Sequence, residues 1–330
     1  MKIFLSLIIV LLVSNVESKE ISKLSLMYQE LYRYAVSSKG LRQNDHQAQQ
    51  YVREEILKNG KFTENKNLFE QLEEAYNLAK SKNYFHLNHK QSLNFAWKMV
   101  KRHGKMKSDT LYDQYKEAFD FAYSTIGLDL SIKPSMGFAK EFMLKNMKLR
   151  DLDLVDQYKD VYEFLRGKEG LNLNELESRK MAQTLIEQKA VLGRDLNLFK
   201  QYKMICDFVS SSPGLKLSHD ESMEFAKKVI INRGYFRKAF DLYDQFDEAY
   251  DFAHAKKGLS LSKSASRNWA REFVMIHGHT TKIKYHEKVE EFFKFAYSTS
   301  GLDLNSVEAY DYANSFMANR GLASANRTDL

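Results

Sequence analysis

The chain of 330 residues contains one cysteine, Cys206, and only two prolines. A single cysteine excludes an intramolecular disulfide, so the fold has to be held together by a buried core, which a chain of this length can supply. Aromatic residues make up 13% of the sequence and charged residues 28%. This composition, with so little proline, is typical of a helical globular protein and excludes a disordered one.

The sequence also lacks the short motifs that mark common catalytic sites. It contains no P-loop, no G-x-G-x-x-G, no G-x-S-x-G and no H-E-x-x-H. The two close histidine pairs, at 86 and 89 and at 277 and 279, belong to no zinc-binding pattern. We therefore predict no catalytic residue, no metal site and no cofactor.

No block of five or more like charges occurs, although the formal net charge is +7. A mildly basic protein can bind anionic glycans, nucleic acid, lipid head groups or an acidic protein, but this sequence carries no polybasic motif that would choose among them. The charge is a bias toward anionic partners and does not identify one.

Residues 1–18 have the pattern of a secretory signal peptide. Lys2 precedes an apolar run over residues 3–13, and small residues stand before the predicted cleavage point after Ser18. This apolar run is shorter than a typical membrane-spanning helix, so we expect the peptide to be cleaved and the mature protein to be secreted or periplasmic. An uncleaved membrane anchor is the alternative. Asn326 lies in a glycosylation sequon, which leaves both bacterial and eukaryotic export open.

The rest of the chain is a seven-fold repeat of one two-helix unit. The glycine of a G-L-x-L phrase recurs every 43 or 44 residues, with Tyr84 in its place in the second unit. The period predicts an all-α solenoid in a single domain over residues 19–330, loosely similar to HEAT and TPR repeats without matching either consensus. The predicted repeats cover residues 25–62, 68–106, 111–149, 154–193, 198–234, 242–279 and 285–322.

Local signals mark the ends of both helices in each unit. We expect the G-L-x-L glycine to end the first helix in the left-handed conformation, which costs glycine least. Four residues later comes an N-cap for the second helix, and in five units a Gln or Glu three residues further on completes a capping box. The predicted N-caps are Asn44, Asn88, Ser131, Asn174, Ser218, Ser262 and Asn305.

Aligned repeats show columns that predict the core. An aromatic or leucine column in the first helix faces small-residue columns in the second, a pattern that lets neighbouring helices pack closely. With helices packed about 8–10 Å apart, seven units would form a right-handed superhelical arc, a rod roughly 70 Å long. The first-helix column is Tyr34, Leu78, Phe121, Phe164, Phe208, Phe252 and Phe295.

A polar column recurs in the first helix of five repeats, one position before an aromatic residue or a leucine. Such glutamines either form a hydrogen-bonded ladder or line a concave surface, and the ladder is favoured because buried amides need partners. If the solenoid has a ligand surface, these glutamines and nearby lysines are its candidates. The candidate partner-binding residues are Gln71, Gln114, Gln157, Gln201, Gln245, Lys116, Lys159 and Lys203.

The architecture and the missing motifs favour an exported, non-enzymatic binding scaffold. We expect a protein or peptide as its partner, and an anionic polymer (a glycan or a nucleic acid) as the second possibility. Two alternatives stay open. An α-helical enzyme acting on cell-wall or extracellular polysaccharide would need paired carboxylates in a pocket. A self-assembling structural protein would expose apolar helices at both ends, whereas the polar ends here favour a monomer with no integral membrane insertion.

The core assignment predicts the effect of one substitution. Phe121→Ala should lower the free energy of unfolding by about 3–5 kcal/mol, because it removes a large side chain from the centre of the stack. Urea denaturation measures the change. An unchanged midpoint would mean that the aromatic column faces solvent.

Overall fold

The computed structural model describes residues 21–38, 40–193, 195–280, 282 and 285–317, so the predicted signal peptide and Asn326 lie outside the described residues. The described part contains fourteen helices and no strand. They are α1 Lys23–Val36, α2 Asp45–Asn59, α3 Leu68–Lys80, α4 His89–His103, α5 Leu111–Tyr123, α6 Ile132–Asn146, α7 Leu154–Arg166, α8 Glu175–Lys189, α9 Leu198–Ser210, α10 His219–Arg233, α11 Leu242–His254, α12 Lys263–His277, α13 Tyr285–Tyr297 and α14 Ser306–Phe316.

The helices pair in tandem, as predicted for a solenoid of two-helix repeats. Each odd-numbered helix packs against the even-numbered helix that follows it, and it also contacts the odd-numbered helix of the next hairpin. The predicted all-α repeat fold is confirmed. None of the described helices is long and apolar enough to cross a membrane.

The seven hairpins close into a ring. Helix α13 contacts α1 in the same way as consecutive odd-numbered helices contact each other. At this junction Lys288 lies within electrostatic reach of Glu30, and the hydroxyls of Tyr34 and Tyr310 hydrogen-bond. The open rod expected from the sequence is therefore wrong, because a rotation of about 50° per hairpin adds up to a full turn after seven hairpins.

The odd-numbered helices form the inner wall of this ring. Seven helices about 9 Å apart enclose a circle with a radius of about 10 Å, which leaves room for side chains but not for seven more helices. The ring closes through the odd-numbered helices, because α13 contacts α1 and consecutive odd-numbered helices contact each other at all other junctions, and this continuous series places them on the inside. The exposed side of each odd-numbered helix faces a central channel, the G-L-x-L loops lie on one edge of the ring (the loop edge), and the linkers between hairpins lie on the other (the linker edge).

Aromatic contacts between consecutive inner helices confirm the predicted core column. Phe121 and Phe164 are fully buried. Their rings are met edge-on by aromatic rings of the preceding hairpin, Phe69 at 5.4 Å from Phe121 and Tyr112 at 5.4 Å from Phe164. Edge-to-face pairs of this kind add to the free energy of burial, so the same contact that fills the core also sets the spacing of the hairpins.

The second helices begin as predicted. All seven predicted residues occupy the N-cap position, and six of them accept a capping hydrogen bond; Ser131 makes none. Both hydrogen bonds of the capping box form in α2, α4, α8, α10 and α14. Each box satisfies two backbone N–H groups that the helix itself leaves unpaired.

The role predicted for the loop glycines is wrong. No described glycine has a positive φ; the left-handed residue comes two positions later, as at Asp129, whose φ is 53°. Glycine is needed because the chain passes so close to the first helix that a Cβ on Gly127 would lie 1.8 Å from the Phe121 carbonyl oxygen. That same carbonyl accepts a hydrogen bond from the N–H of Leu128 at 3.1 Å.

The close approach predicts opposite effects for two glycine substitutions. Gly127→Ala should lower the free energy of unfolding by about 1–3 kcal/mol, since the loop must move off the helix and weaken this hydrogen bond. Gly137→Ala should raise it by about 0.5–1 kcal/mol, because Gly137 lies within α6 and a Cβ there would meet nothing within 4 Å. Chemical denaturation of both variants checks the signs. Stabilisation by Gly127→Ala would contradict the steric account.

Candidate binding surface

The five candidate glutamines are buried clamps inside the hairpins and do not lie on a surface. Gln114 shows the arrangement: its Nε2 donates to the carbonyls of Lys148 at 2.9 Å and Asp109 at 3.4 Å, and its Oε1 accepts from the N–H of Lys148 at 3.0 Å. The other four make the same three bonds, and all five are at most 2% exposed. The glutamines therefore have the structural role favoured from the sequence, but their bonds lie within each hairpin and not between repeats, and their burial does not fit contact with a partner.

The three candidate lysines do lie on an exposed surface, the channel wall. Lys116, Lys159 and Lys203 stand at equivalent positions of α5, α7 and α9. Lys159 pairs with Asp156 at 3.5 Å and Lys203 with Asp207 at 2.5 Å, each within one helical turn. Such exposed pairs contribute little stability but partly neutralise Lys159 and Lys203, so these two lysines offer an anion little net positive charge.

Acidic residues of the inner helices join neighbouring hairpins. The carboxylates of Glu117 and Glu248 accept hydrogen bonds from the first N–H of the preceding inner helix, at Leu68 and Leu198. These N–H groups have no partner within their own helices, so the contact acts as a cap supplied by the next hairpin. Burial raises the pKa of Glu248, and the bond from Leu198 partly lowers it.

The even-numbered helices receive a matching cap at their other ends. Basic side chains in the last turn reach back to carbonyls of the previous hairpin: Lys189 to Lys145, and Arg233 to Ala190 at 3.0 Å. Positive charge at a helix C-terminus also interacts favourably with the helix dipole. Some of the basic residues on the linker edge are thus explained by packing alone.

Six other basic residues on the linker edge are not explained in this way. All six side chains are exposed, and none forms a hydrogen bond or an ion pair with a described residue. They belong to the first three hairpins, at the ends of α2, α4 and α6 and in the linkers that follow. We call this set the basic edge: Lys58, Lys101, Arg102, Lys105, Lys145 and Lys148.

The glutamine clamps position part of this surface. Gln71 and Gln114 fix the backbone of Lys105 and Lys148, each 34 residues downstream, at equivalent places in consecutive linkers. Desolvation by the surrounding protein lowers the pKa of Lys105; the charge of Lys23 lowers it further, the charge of Glu64 partly raises it, and the charge of Lys148 lowers it. Lys105 and Lys148 are therefore close enough to interact electrostatically, and the clamps hold their backbones at fixed positions.

Sequence reasoning missed the basic edge because its members come from three separate segments, residue 58, residues 101–105 and residues 145–148, and none of these segments is a block of five like charges. Lys58, Arg102 and Lys145 align only when second helices are superimposed. The signal that could have found them is a comparison across repeats: the equivalent positions in the next three hairpins are Gln188, Asn232 and Ile276, all uncharged.

Other chemistry-bearing groups are not arranged as a catalytic site. Cys206 is half-buried, and burial followed by the nearby Asp207 charge raises its pKa, so little of the reactive thiolate exists at neutral pH. Within the described residues, no three His, Cys, Asp or Glu side chains are grouped so that they could hold a metal ion.

No protein-family model, curated protein or solved structure matches this chain. The function is therefore argued from the surface of the ring itself.

The clamp geometry predicts that the glutamines stabilise the fold. Gln114→Leu should lower the free energy of unfolding by about 2–4 kcal/mol, because it leaves the buried N–H and carbonyl of Lys148 without their partner. The control Lys116→Gln, two residues away on the exposed side, should change it by no more than about 0.5 kcal/mol. Thermal and urea denaturation measure both; equal, small effects would refute the clamp.

Proposed function

We propose that this protein is an exported, non-enzymatic binding scaffold whose basic edge binds a linear anionic polysaccharide. The observation that carries the proposal is the row of six exposed and unpaired cations over three consecutive hairpins. The signal-like residues 1–18 support export, to the periplasm or the exterior, where such polymers occur.

The distribution of these charges favours binding over packing as their role. Hairpins four and five also carry a basic residue in the last turn of the second helix, but Lys189 and Arg233 bond to carbonyls of the previous hairpin. The exposed, unpaired position occupied by Lys58, Arg102 and Lys145 in the first three hairpins is uncharged in hairpins four to six, where it reads Gln188, Asn232 and Ile276. The concentration in three neighbouring hairpins creates a positive field along one arc of the ring, and like charges about 10 Å apart still reinforce each other at physiological ionic strength.

The surroundings of the basic edge favour a polysaccharide over single-stranded nucleic acid. Unpaired bases gain much of their binding free energy by stacking on aromatic side chains. The hydrophobic residues that alternate with the edge lysines, Phe62, Met106 and Leu149, are buried and offer no stacking surface. An anionic glycan needs only the charges and hydrogen-bond donors that the edge presents.

The ring also gives no support to assembly through exposed ends. A solenoid that polymerises end to end needs an unpaired helix at each terminus. Here α1 and α13 cover each other. A protein or peptide is the first partner expected from the sequence, with the candidate lysines among its contacts, and the test below includes these channel lysines as its control.

The decisive experiment compares two triple charge reversals with the same net charge change. The edge variant carries R102E, K105E and K148E; the channel variant carries K116E, K159E and K203E. Fluorescence anisotropy with labelled heparin and labelled polygalacturonate, at about 50 and 300 mM salt, reports binding to the chain from residue 19 onward. Labelled oligo-dT serves as the nucleic-acid probe.

We expect the edge variant to bind either glycan roughly 10–100-fold more weakly, since three contacts of about 0.5–1 kcal/mol each are lost. Its remaining binding should depend less on salt, while the channel variant should match the wild-type protein. Loss confined to the channel variant would return the site to the lysines chosen from the sequence. Wild-type protein that binds neither glycan, or prefers oligo-dT, would reject the proposal.

A further inference from the structure

A polar recess opens on the loop edge of the ring, opposite the basic edge. It lies between α1, the first turns of α2 and the loop that precedes α4, and its volume is about 460 Å³, within the ~300–1,000 Å³ typical of small-ligand sites. The side chains that carry the argument are Tyr28, Tyr32, Arg33, Asp45, Lys82 and Tyr84.

The recess exists because the second hairpin departs from the repeat. Tyr84 stands where the six other loops have glycine. A Cβ does not fit the close approach that the glycine loops make to the first helix. The loop of the second hairpin therefore follows a different path, and a tyrosine ring stands at the mouth of the groove.

Three tyrosine rings form the wall of the recess. Tyr28 and Tyr32 stack at 5.8 Å with an angle of 8° between their planes, and Tyr84 meets Tyr28 edge-on at 5.0 Å. Burial, and then the neighbouring Tyr32 and Asp45, raise the pKa of Tyr28 to about 12, so its hydroxyl stays protonated at neutral pH. Tyr28 is 6% exposed and its hydroxyl donates to the Tyr84 carbonyl at 3.4 Å, so it supports the other two rings. Tyr32 and Tyr84 present the apolar faces that can cover the C–H face of a sugar.

One side of the recess is a prepared hydrogen-bond acceptor. The Asp45 carboxylate accepts from the hydroxyl of Tyr32 and from Nε2 of Gln49, the latter at 3.3 Å. A carboxylate has about four acceptor positions, so two remain for hydroxyl groups of a ligand. The donors that hold it fix its orientation toward the recess.

The other side carries two cations. Arg33 and Lys82 line the recess, both are exposed, and neither side chain forms a hydrogen bond or an ion pair with a described residue. A guanidinium can hold a carboxylate or sulfate through two parallel hydrogen bonds, and an ammonium adds a point charge. A ligand that suits both sides is therefore anionic at one end and rich in hydroxyl groups at the other.

We propose that this recess binds an acidic sugar residue of an oligosaccharide, with its ring against the tyrosines, a hydroxyl on Asp45 and its carboxylate or sulfate between Arg33 and Lys82. The proposal goes beyond the basic edge, lies on the opposite side of the ring and stands even if that edge binds nothing.

Equivalent grooves in other hairpins provide internal comparisons. Between hairpins three and four, the position of Tyr84 is Gly170 and that of Arg33 is Asp120, while Lys168 matches Lys82. The groove between hairpins three and four therefore keeps only the lysine. An acid replaces the arginine, and a glycine replaces the third aromatic ring. The combination that fits an acidic sugar occurs once in the seven repeats.

The test is isothermal titration calorimetry and saturation-transfer NMR of the chain from residue 19 onward, with trigalacturonic acid, its methyl ester and adenosine monophosphate as probes. The variants are Arg33→Ala, Lys82→Ala and Tyr84→Gly, the last restoring the glycine of the other loops. Lys168→Ala is the matched control. Circular dichroism checks that each variant keeps its helices.

We expect the wild-type protein to bind trigalacturonic acid with a Kd below about 1 mM and to bind the uncharged ester at least about tenfold more weakly. Arg33→Ala and Tyr84→Gly should each weaken binding about tenfold or more, Lys82→Ala less, and Lys168→Ala not at all. No binding at about 10 mM, binding that survives both Arg33→Ala and Tyr84→Gly, or preference for the nucleotide would each overturn the assignment. The edge variant R102E, K105E, K148E should bind the trisaccharide normally, which separates this site from the basic edge.

Discussion

Contact between the first and last inner helices constrains the rest of this molecule. Because α13 rests on α1, the rotation from hairpin to hairpin must add up to one full turn, and a change in any interface would strain all seven. Closure also creates three surfaces that a ligand could contact: a channel wall of inner helices, a loop edge and a linker edge. An open solenoid with the same hairpins would have two free ends and one long concave face.

The junction between the ends departs from the repeat in a way that suits closure. The glutamine column reads Met27 in α1 and Lys288 in α13, so the two hairpins that meet at the junction lack the usual clamp. Lys288 is 2% exposed, and while burial lowers its pKa, the charge of Glu30 across the junction raises it. A buried charge is tolerated only with a partner, so this lysine favours the closed ring over any arrangement that separates the ends.

Local features of the fold could be predicted from the sequence, and features that depend on small rotations could not. The N-caps, the capping boxes and the burial of Phe121 follow from residues within one or two turns of helix. Ring closure depends on a few degrees of rotation between consecutive hairpins, and the repeat pattern in the sequence does not specify this angle. The loop glycines show a different limit: left-handed φ and close backbone approach both require glycine, so the residue at Gly127 could not tell the two apart. The three candidate lysines are exposed, but the pairing of Lys159 and Lys203 with acids one turn away could be found only in the structure.

A repeat this regular separates the residues that build the ring from those that can differ among hairpins. Glutamine clamps, aromatic contacts and inter-hairpin caps recur because each interface needs them, so their repetition carries little information about a ligand. Departures from the columns carry more. The exposed cations of three hairpins and the single tyrosine among loop glycines add nothing that the packing of the other hairpins requires. Residues that break a repeat column without serving the fold are most simply explained by what they contact outside it.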